Sequence, residues 1–77
     1  MIPQPGYDLK VISIQINGEA EQYEAPLTVG DLMQRKNLTG KRVAVERNGE
    51  IVPRSRFDAQ PLTDGDKLEI VVAVGGG

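Results

Sequence analysis

The chain has 77 residues and a mass of 8.4 kDa, which is one small domain, because chains divide into separate cores only at several times this length. Nine lysines and arginines against eleven aspartates and glutamates give a net charge of -2, which disfavours the phosphate-neutralising surface that nucleic-acid binding requires. Cysteine and histidine are both absent, which excludes a disulfide framework, a thiolate nucleophile, an imidazole base and the usual zinc ligands.

Residues 1–8, with Pro3, Pro5 and Gly6 and no periodicity, are expected to be a flexible leader ahead of a domain at 9–74 and a flexible glycine tail at 75–77. The first residues have neither a positive n-region nor an apolar h-region, and no apolar stretch approaches the 18 residues of a membrane span. The expectation is a soluble, cytoplasmic protein with no membrane partner. Leu, Ile, Val and Phe supply 21 of the 77 residues, about 27%, above the roughly 20% below which a charged chain tends to stay disordered.

From Val11 to Ile16 the chain alternates, with Ile12, Ile14 and Ile16 on one face, as in a half-buried strand. Asn17-Gly18 supplies the positive-φ pair of a tight hairpin turn, and Glu19 to Glu24 is expected to return antiparallel. A strict two-residue loop sets Tyr23 beside Ile12 but also Glu21 beside Ile14, so the register is open and a bulge is one way to correct it. Pro26 ends the hairpin. Thr28 with Asp31 three residues later resembles a capping box, and Val29, Leu32 and Met33 form one apolar stripe of a helix over about Thr28 to Lys36, which Asn37 and Gly40 stop.

Val43 to Arg47 alternates again, Asn48-Gly49 repeats the hairpin signal, and Glu50 to Val52 returns until Pro53. Ser55 to Asp58 is expected to cap a short helical turn that carries Phe57, the only phenylalanine, to the core. Asp64-Gly65-Asp66 marks a turn, and Lys67 to Val74 reads as the longest strand, with Leu68, Ile70, Val72 and Val74 on one face. This order predicts an α+β fold, a mixed sheet of about four to five strands with one main helix on one face. Val29, Leu32 and Met33 should pack on Ile12, Ile14, Val43, Val45, Leu68 and Ile70. The other sheet face, with Glu69, Val71 and Ala73 flanked by Ala44 and Glu46, is left uncovered and offers a patch for partner binding.

Few residues suggest chemistry. Asp64-Gly65-Asp66 resembles the opening of a calcium loop, but an apolar strand follows where further oxygen ligands are needed, so it reads as an acidic turn. Lys41-Arg42 and Arg54-Ser55-Arg56 read as solvated loop charge. Gly75-Gly76-Gly77 is different: glycines contribute no packing and cost backbone entropy when ordered, yet they form a thread that fits a channel too narrow for a Cβ. At its end stands an α-carboxylate, anionic at neutral pH.

Val43 to Ser55 (VAVERNGEIVPRS), Leu62 to Val71 (LTDGDKLEIV) and the ending Ala73-Val74-Gly75-Gly76-Gly77 together resemble the ThiS-type sulfur carriers of thiazole (thiamine) biosynthesis, which are ubiquitin-like β-grasp proteins. Ile16 to Glu19 and Thr28 to Leu32 fit the first turn and helix of the same family. The leader is longer than is usual there, and three glycines stand where two would suffice.

The resemblance implies a co-substrate rather than a catalyst. An E1-like adenylyltransferase would adenylate Gly77 with ATP and Mg²⁺, a persulfide from a sulfur donor such as a cysteine desulfurase would displace AMP, and the thiocarboxylate would give its sulfur to thiazole synthase. Gly75 and Gly76 would be the tail, Val71, Ala73, Glu69 and Ala44 the docking residues, and no cofactor or metal would be bound. Two relatives share this tail chemistry. The small subunit of molybdopterin synthase usually has a proline pair where this chain has Val71-Val72-Ala73-Val74, and a ubiquitin-like modifier would form isopeptide bonds. A nucleic-acid-binding β-grasp module would want a basic stripe instead.

Overall fold

The computed structural model describes residues 10–73; the expected leader, Leu9, Val74 and the tail Gly75, Gly76 and Gly77 lie outside the described residues. Strand β1 (Lys10–Ile16) and strand β2 (Glu19–Ala25) form the first hairpin, and helix α1 (Val29–Arg35) follows. Strands β3 (Val43–Arg47) and β4 (Glu50–Val52) form the second hairpin, a 3-10 helix covers Arg54–Ala59, and strand β5 (Lys67–Val72) completes the set. The sheet order is β2-β1-β5-β3-β4, with β1 and β5 parallel and every other pair antiparallel. This is the mixed five-stranded sheet with one main helix that the pattern predicts.

Both Asn-Gly pairs adopt positive φ, 51° and 85° at Asn17 and Gly18 and 53° and 87° at Asn48 and Gly49, the backbone that a two-residue hairpin with right-handed twist requires. The first hairpin keeps the strict register, Ile12 opposite Tyr23 and Ile14 opposite Glu21, with no bulge. The carboxylate is tolerated there because β2 is an edge strand and partners reach it from two directions. Lys36 Nζ lies 2.9 Å from Glu21 Oε2, and the Tyr23 hydroxyl donates to Oε1. These hydrogen bonds, Tyr23 first and Lys36 next, hold the Glu21 carboxyl below its usual range. Burial, with the hydrogen bond to Glu21, pushes the Tyr23 phenol up to about 12.

Helix α1 begins with the capping box: Thr28 Oγ1 accepts from the Asp31 N–H, and the Asp31 carboxylate accepts from the Thr28 N–H, each at 3.0 Å. It ends in a Schellman motif, in which the Leu38 N–H donates to the Met33 carbonyl and the Asn37 N–H to that of Gln34, with Asn37 at φ 62°. Val29, Leu32 and Met33 are buried with Ile12, Ile14, Ile16, Val45, Leu68 and Ile70, and Val43 and Phe57 pack against this cluster.

Two details differ from expectation. The turn carrying Phe57 starts at Pro53 with no side-chain cap, so Ser55 is not its cap; fixed φ at proline begins the turn without one. Val72, expected on the same face as Leu68 and Ile70, is 40% exposed where they are buried. Strand β1 runs beside β5 only at Lys67 and Leu68, so the end of β5 projects past the layer that α1 covers.

Asp64-Gly65-Asp66 is more than an acidic turn. Asp64 Oδ1 accepts from the Ser13 N–H at 2.8 Å and the Gly65 N–H donates to the Ser13 carbonyl at 2.8 Å, which ties the turn to β1. Asp66, 4% exposed, is a junction: its carboxylate accepts from Arg47 Nε, Asn48 Nδ2, the Thr63 N–H and the Thr63 hydroxyl at 2.8 to 3.0 Å. Burial alone would raise its pKa, but the Arg47 bond and the other three outweigh burial and hold the carboxyl below its ordinary value. A carboxyl depressed by folding stabilises the fold above its unfolded pKa of about 3.9, and that stability is lost as pH falls through the folded value. Asp66→Asn is expected to lose about 2 kcal/mol at pH 7, since an amide cannot accept from all four donors, and to lose less on acidification than wild type. Urea melts at pH 7 and pH 3 measure both; equal pH sensitivity of the two proteins would contradict this role for Asp66.

Candidate functional site

The elements that matter most are those that hold the end of β5. The Asn17 N–H makes the last backbone bond from this side, to the Leu68 carbonyl at 2.9 Å, and beyond it the side chain of Asn17 continues the ladder. Its Nδ2 donates to the Ile70 carbonyl at 3.1 Å, and its Oδ1 accepts from the Ile70 N–H at 2.8 Å. Asn48 does similar work at the other end of β5, accepting from the Lys67 N–H at 2.9 Å. On the opposite edge, β3 pairs with β5 from Arg47–Leu68 through Val43–Val72, and the Ala73 N–H donates to the Arg42 carbonyl at 2.9 Å. The chain therefore leaves a strand gripped from both sides, and Ala73 is the last described residue before Val74 and the three glycines.

The sheet face opposite α1 carries the residues expected to dock a partner. Ala44 pairs with Val71 and Glu46 with Glu69 across β3 and β5, so the four side chains share that face. Val71 is 63% exposed, and Glu69, Ala73 and Ala44 are exposed as well. Ile51, 64% exposed, pairs with Glu46 and extends the same face onto β4; its three-residue strand shows too little alternation for sequence reasoning to single it out. A shallow groove lined by Arg42, Ala44, Arg54, Val71 and Ala73 runs beside the exit of the chain. Another exposed valine, Val11, stands at the start of β1, whose far end is the one that meets β5, and so lies apart from this patch.

No group of three or more His, Cys, Asp or Glu with metal-binding proximity occurs among the described residues. No helix among them is long and apolar enough to cross a membrane. The arrangement can present a strand end and an amphipathic sheet face. These features define a ubiquitin-like β-grasp domain, a mixed five-stranded sheet gripping a single helix.

The ThiS family model matches residues 6–77, and the chain belongs to that family. A thiamine biosynthesis protein (ThiS) from Geobacter metallireducens superposes with a TM-score of 0.72 at 32% identity, covering 86% of this chain and all of the other. The sulfur carrier protein ThiS of Bacillus subtilis is 40% identical over 65 residues, 83% of this chain and 98% of that protein. A thiazole synthase of Paramagnetospirillum magneticum is 46% identical over 66 residues, 86% of this chain, and the chain spans 20% of that protein's length.

Proposed function

We propose that this chain is a sulfur carrier for thiazole formation in thiamine biosynthesis, and that the carboxyl of Gly77 is the sulfur-bearing site. The observation that carries the reading is the match to the ThiS family over residues 6–77, glycine tail included. The thiazole synthases among the relatives favour the thiazole branch over the molybdopterin one.

The chemistry follows from what a terminal carboxylate can and cannot do. An anionic carboxylate is a poor acyl donor, so it must first attack the α-phosphate of Mg²⁺-bound ATP, expelling pyrophosphate and giving an acyl adenylate. Cations of the adenylating enzyme stabilise the charge that develops. A persulfide sulfur then attacks the activated carbonyl and AMP leaves. This leaves an acyl disulfide with the donor; a thiol attacks the donor's sulfur, forming a disulfide with it and breaking the acyl S–S bond, and so releases a thiocarboxylate, whose sulfur is nucleophilic enough to pass to thiazole synthase. The chain itself contributes reach and slenderness: Val74 to Gly77 extended span roughly 13 Å, and the three glycines present no side chain to a narrow channel.

Purified chain ending at Gly77, incubated with ATP, Mg²⁺, the adenylating enzyme and a persulfide donor, should gain the mass of one oxygen replaced by sulfur, and lose it on addition of the thiazole synthase reaction. An unchanged mass under conditions where the enzyme consumes ATP would overturn the reading. The exposed Val71 supports docking through the uncovered face. Val71→Asp should leave thermal stability near wild type, because the side chain is already 63% exposed. Its affinity for the adenylating enzyme should fall by about tenfold or more, roughly 1.4 kcal/mol. Calorimetry that finds equal affinities would remove Val71 from the interface.

A further inference from the structure

At the centre of the uncovered face Glu46 and Glu69 stand directly opposite each other across β3 and β5. The ion pairs among the described residues are Lys36–Glu21 and Arg47–Asp66, and neither of these two glutamates takes part in one. Like charges set directly opposite on a sheet are destabilising, so this pair weakens the free domain. Beside it along the same face lie Val71 and Ile51, both exposed.

The position of Gly77 decides what covers this pair. On the carrier reading the enzyme acts on Gly77, four residues after Ala73, a reach of roughly 13 Å at full extension, and Glu69 lies two residues before Val71, about 7 Å along the strand. An enzyme acting on Gly77 has to sit against the end of β5, and one that covers Val71 also reaches Glu69. Closing an apolar surface over two unpaired carboxylates is strongly unfavourable unless a cation comes with it.

We propose that Glu46 and Glu69 form an electrostatic socket for one or two cationic side chains, Lys or Arg, on the enzyme that activates Gly77, bordered by apolar contacts to Val71 and Ile51. This rests on the carrier reading above. The socket steers the encounter, because opposed charge raises association rates and makes them sensitive to salt, and the repulsion within the pair is relieved only in the complex.

The test measures association of the full chain with the adenylating enzyme at low and high salt, together with thermal melting. The variant Glu46→Gln/Glu69→Gln should melt at the wild-type temperature or above. It should bind at least tenfold more weakly, with a slower on-rate and a flattened salt dependence, while Glu24→Gln, an exposed carboxylate at the far end of β2, should match wild type. Equal or tighter binding by the double variant, with wild-type salt dependence, would overturn the socket and leave the carrier reading standing. Failure of the wild-type chain to associate with the enzyme at all would instead strike at the carrier reading, and the socket would fall with it.

Discussion

A chain extended by one alanine beyond Gly77 is expected to melt at the wild-type temperature and to take up no sulfur. The last ladder bond among the described residues is that of Ala73 with Arg42, and four residues separate it from the addition. Function depends on the terminus in a different way. One more residue moves the carboxylate by about 3.5 Å, whereas reacting atoms must approach to about 3–3.5 Å and a misplacement of 1 Å costs on the order of a hundredfold in rate. Gly76→Val is expected to give the same pattern by another route, since a stiff β-branched side chain obstructs a channel sized for bare backbone. Intact mass after incubation with ATP, Mg²⁺, persulfide donor and adenylating enzyme checks both. An extended chain that gains sulfur as readily as wild type, without prior trimming, would show that Gly77 is not the acceptor.

The largest effect on the fold is expected at Leu68. It is 2% exposed, it pairs with Arg47 of β3 and Ile16 of β1 in the sheet, and it belongs to the cluster that α1 covers. Leu68→Ala removes buried methyl groups and leaves a cavity that two flanking strands resist closing, a loss of about 2 to 5 kcal/mol. Scaled by length, a domain of 77 residues has about 4 to 12 kcal/mol in total, so the variant should be largely destabilised and melt at least about 10 °C lower. Val72→Ala, at the 40% exposed position four pairs nearer the chain exit, should cost far less. Urea melts that rank the two in the opposite order would mean that the core ends nearer Val72 than the burial indicates.

Local periodicity made much of this fold legible. Ile12, Ile14 and Ile16 alternate, Val29, Leu32 and Met33 recur at helical spacing, and each Asn-Gly pair announces its turn, so the elements and their inner faces follow from neighbours in the chain. What escaped notice depends on distant partners. Asp66 looks like a turn carboxylate until Arg47 and Asn48, 19 and 18 residues away, are seen to donate to it. Glu21 looked misplaced because its cation, Lys36, arrives from the end of the helix. Leu27 and Leu62 are core residues, 2% and 4% exposed, yet each follows a proline in an aperiodic segment; they meet because the Leu62 N–H donates to the Leu27 carbonyl.

The site divides the same way. Alternation along β5 and β3 was enough to put Val71, Glu69, Ala73 and Ala44 on the uncovered face, where the structure has them exposed. The Asn17 clamp on Ile70 was hidden because the hairpin turn already accounted for an asparagine at that position. Gly30 shows a further long-range neighbour: a Cβ there would collide with the Asp58 carboxylate, which would have to swing aside, while the Asp58 backbone stays at ordinary contact distance.

The central claim is that sulfur rides on the carboxyl of Gly77. Intact-mass analysis of the chain isolated from cells that are making thiamine, with fragmentation to locate any added mass, tests it most directly. The account predicts a population heavier by the exchange of one oxygen for sulfur, with the difference confined to Gly77; sulfur found elsewhere on the chain, or none under active thiamine synthesis with transfer to thiazole synthase blocked, would contradict it.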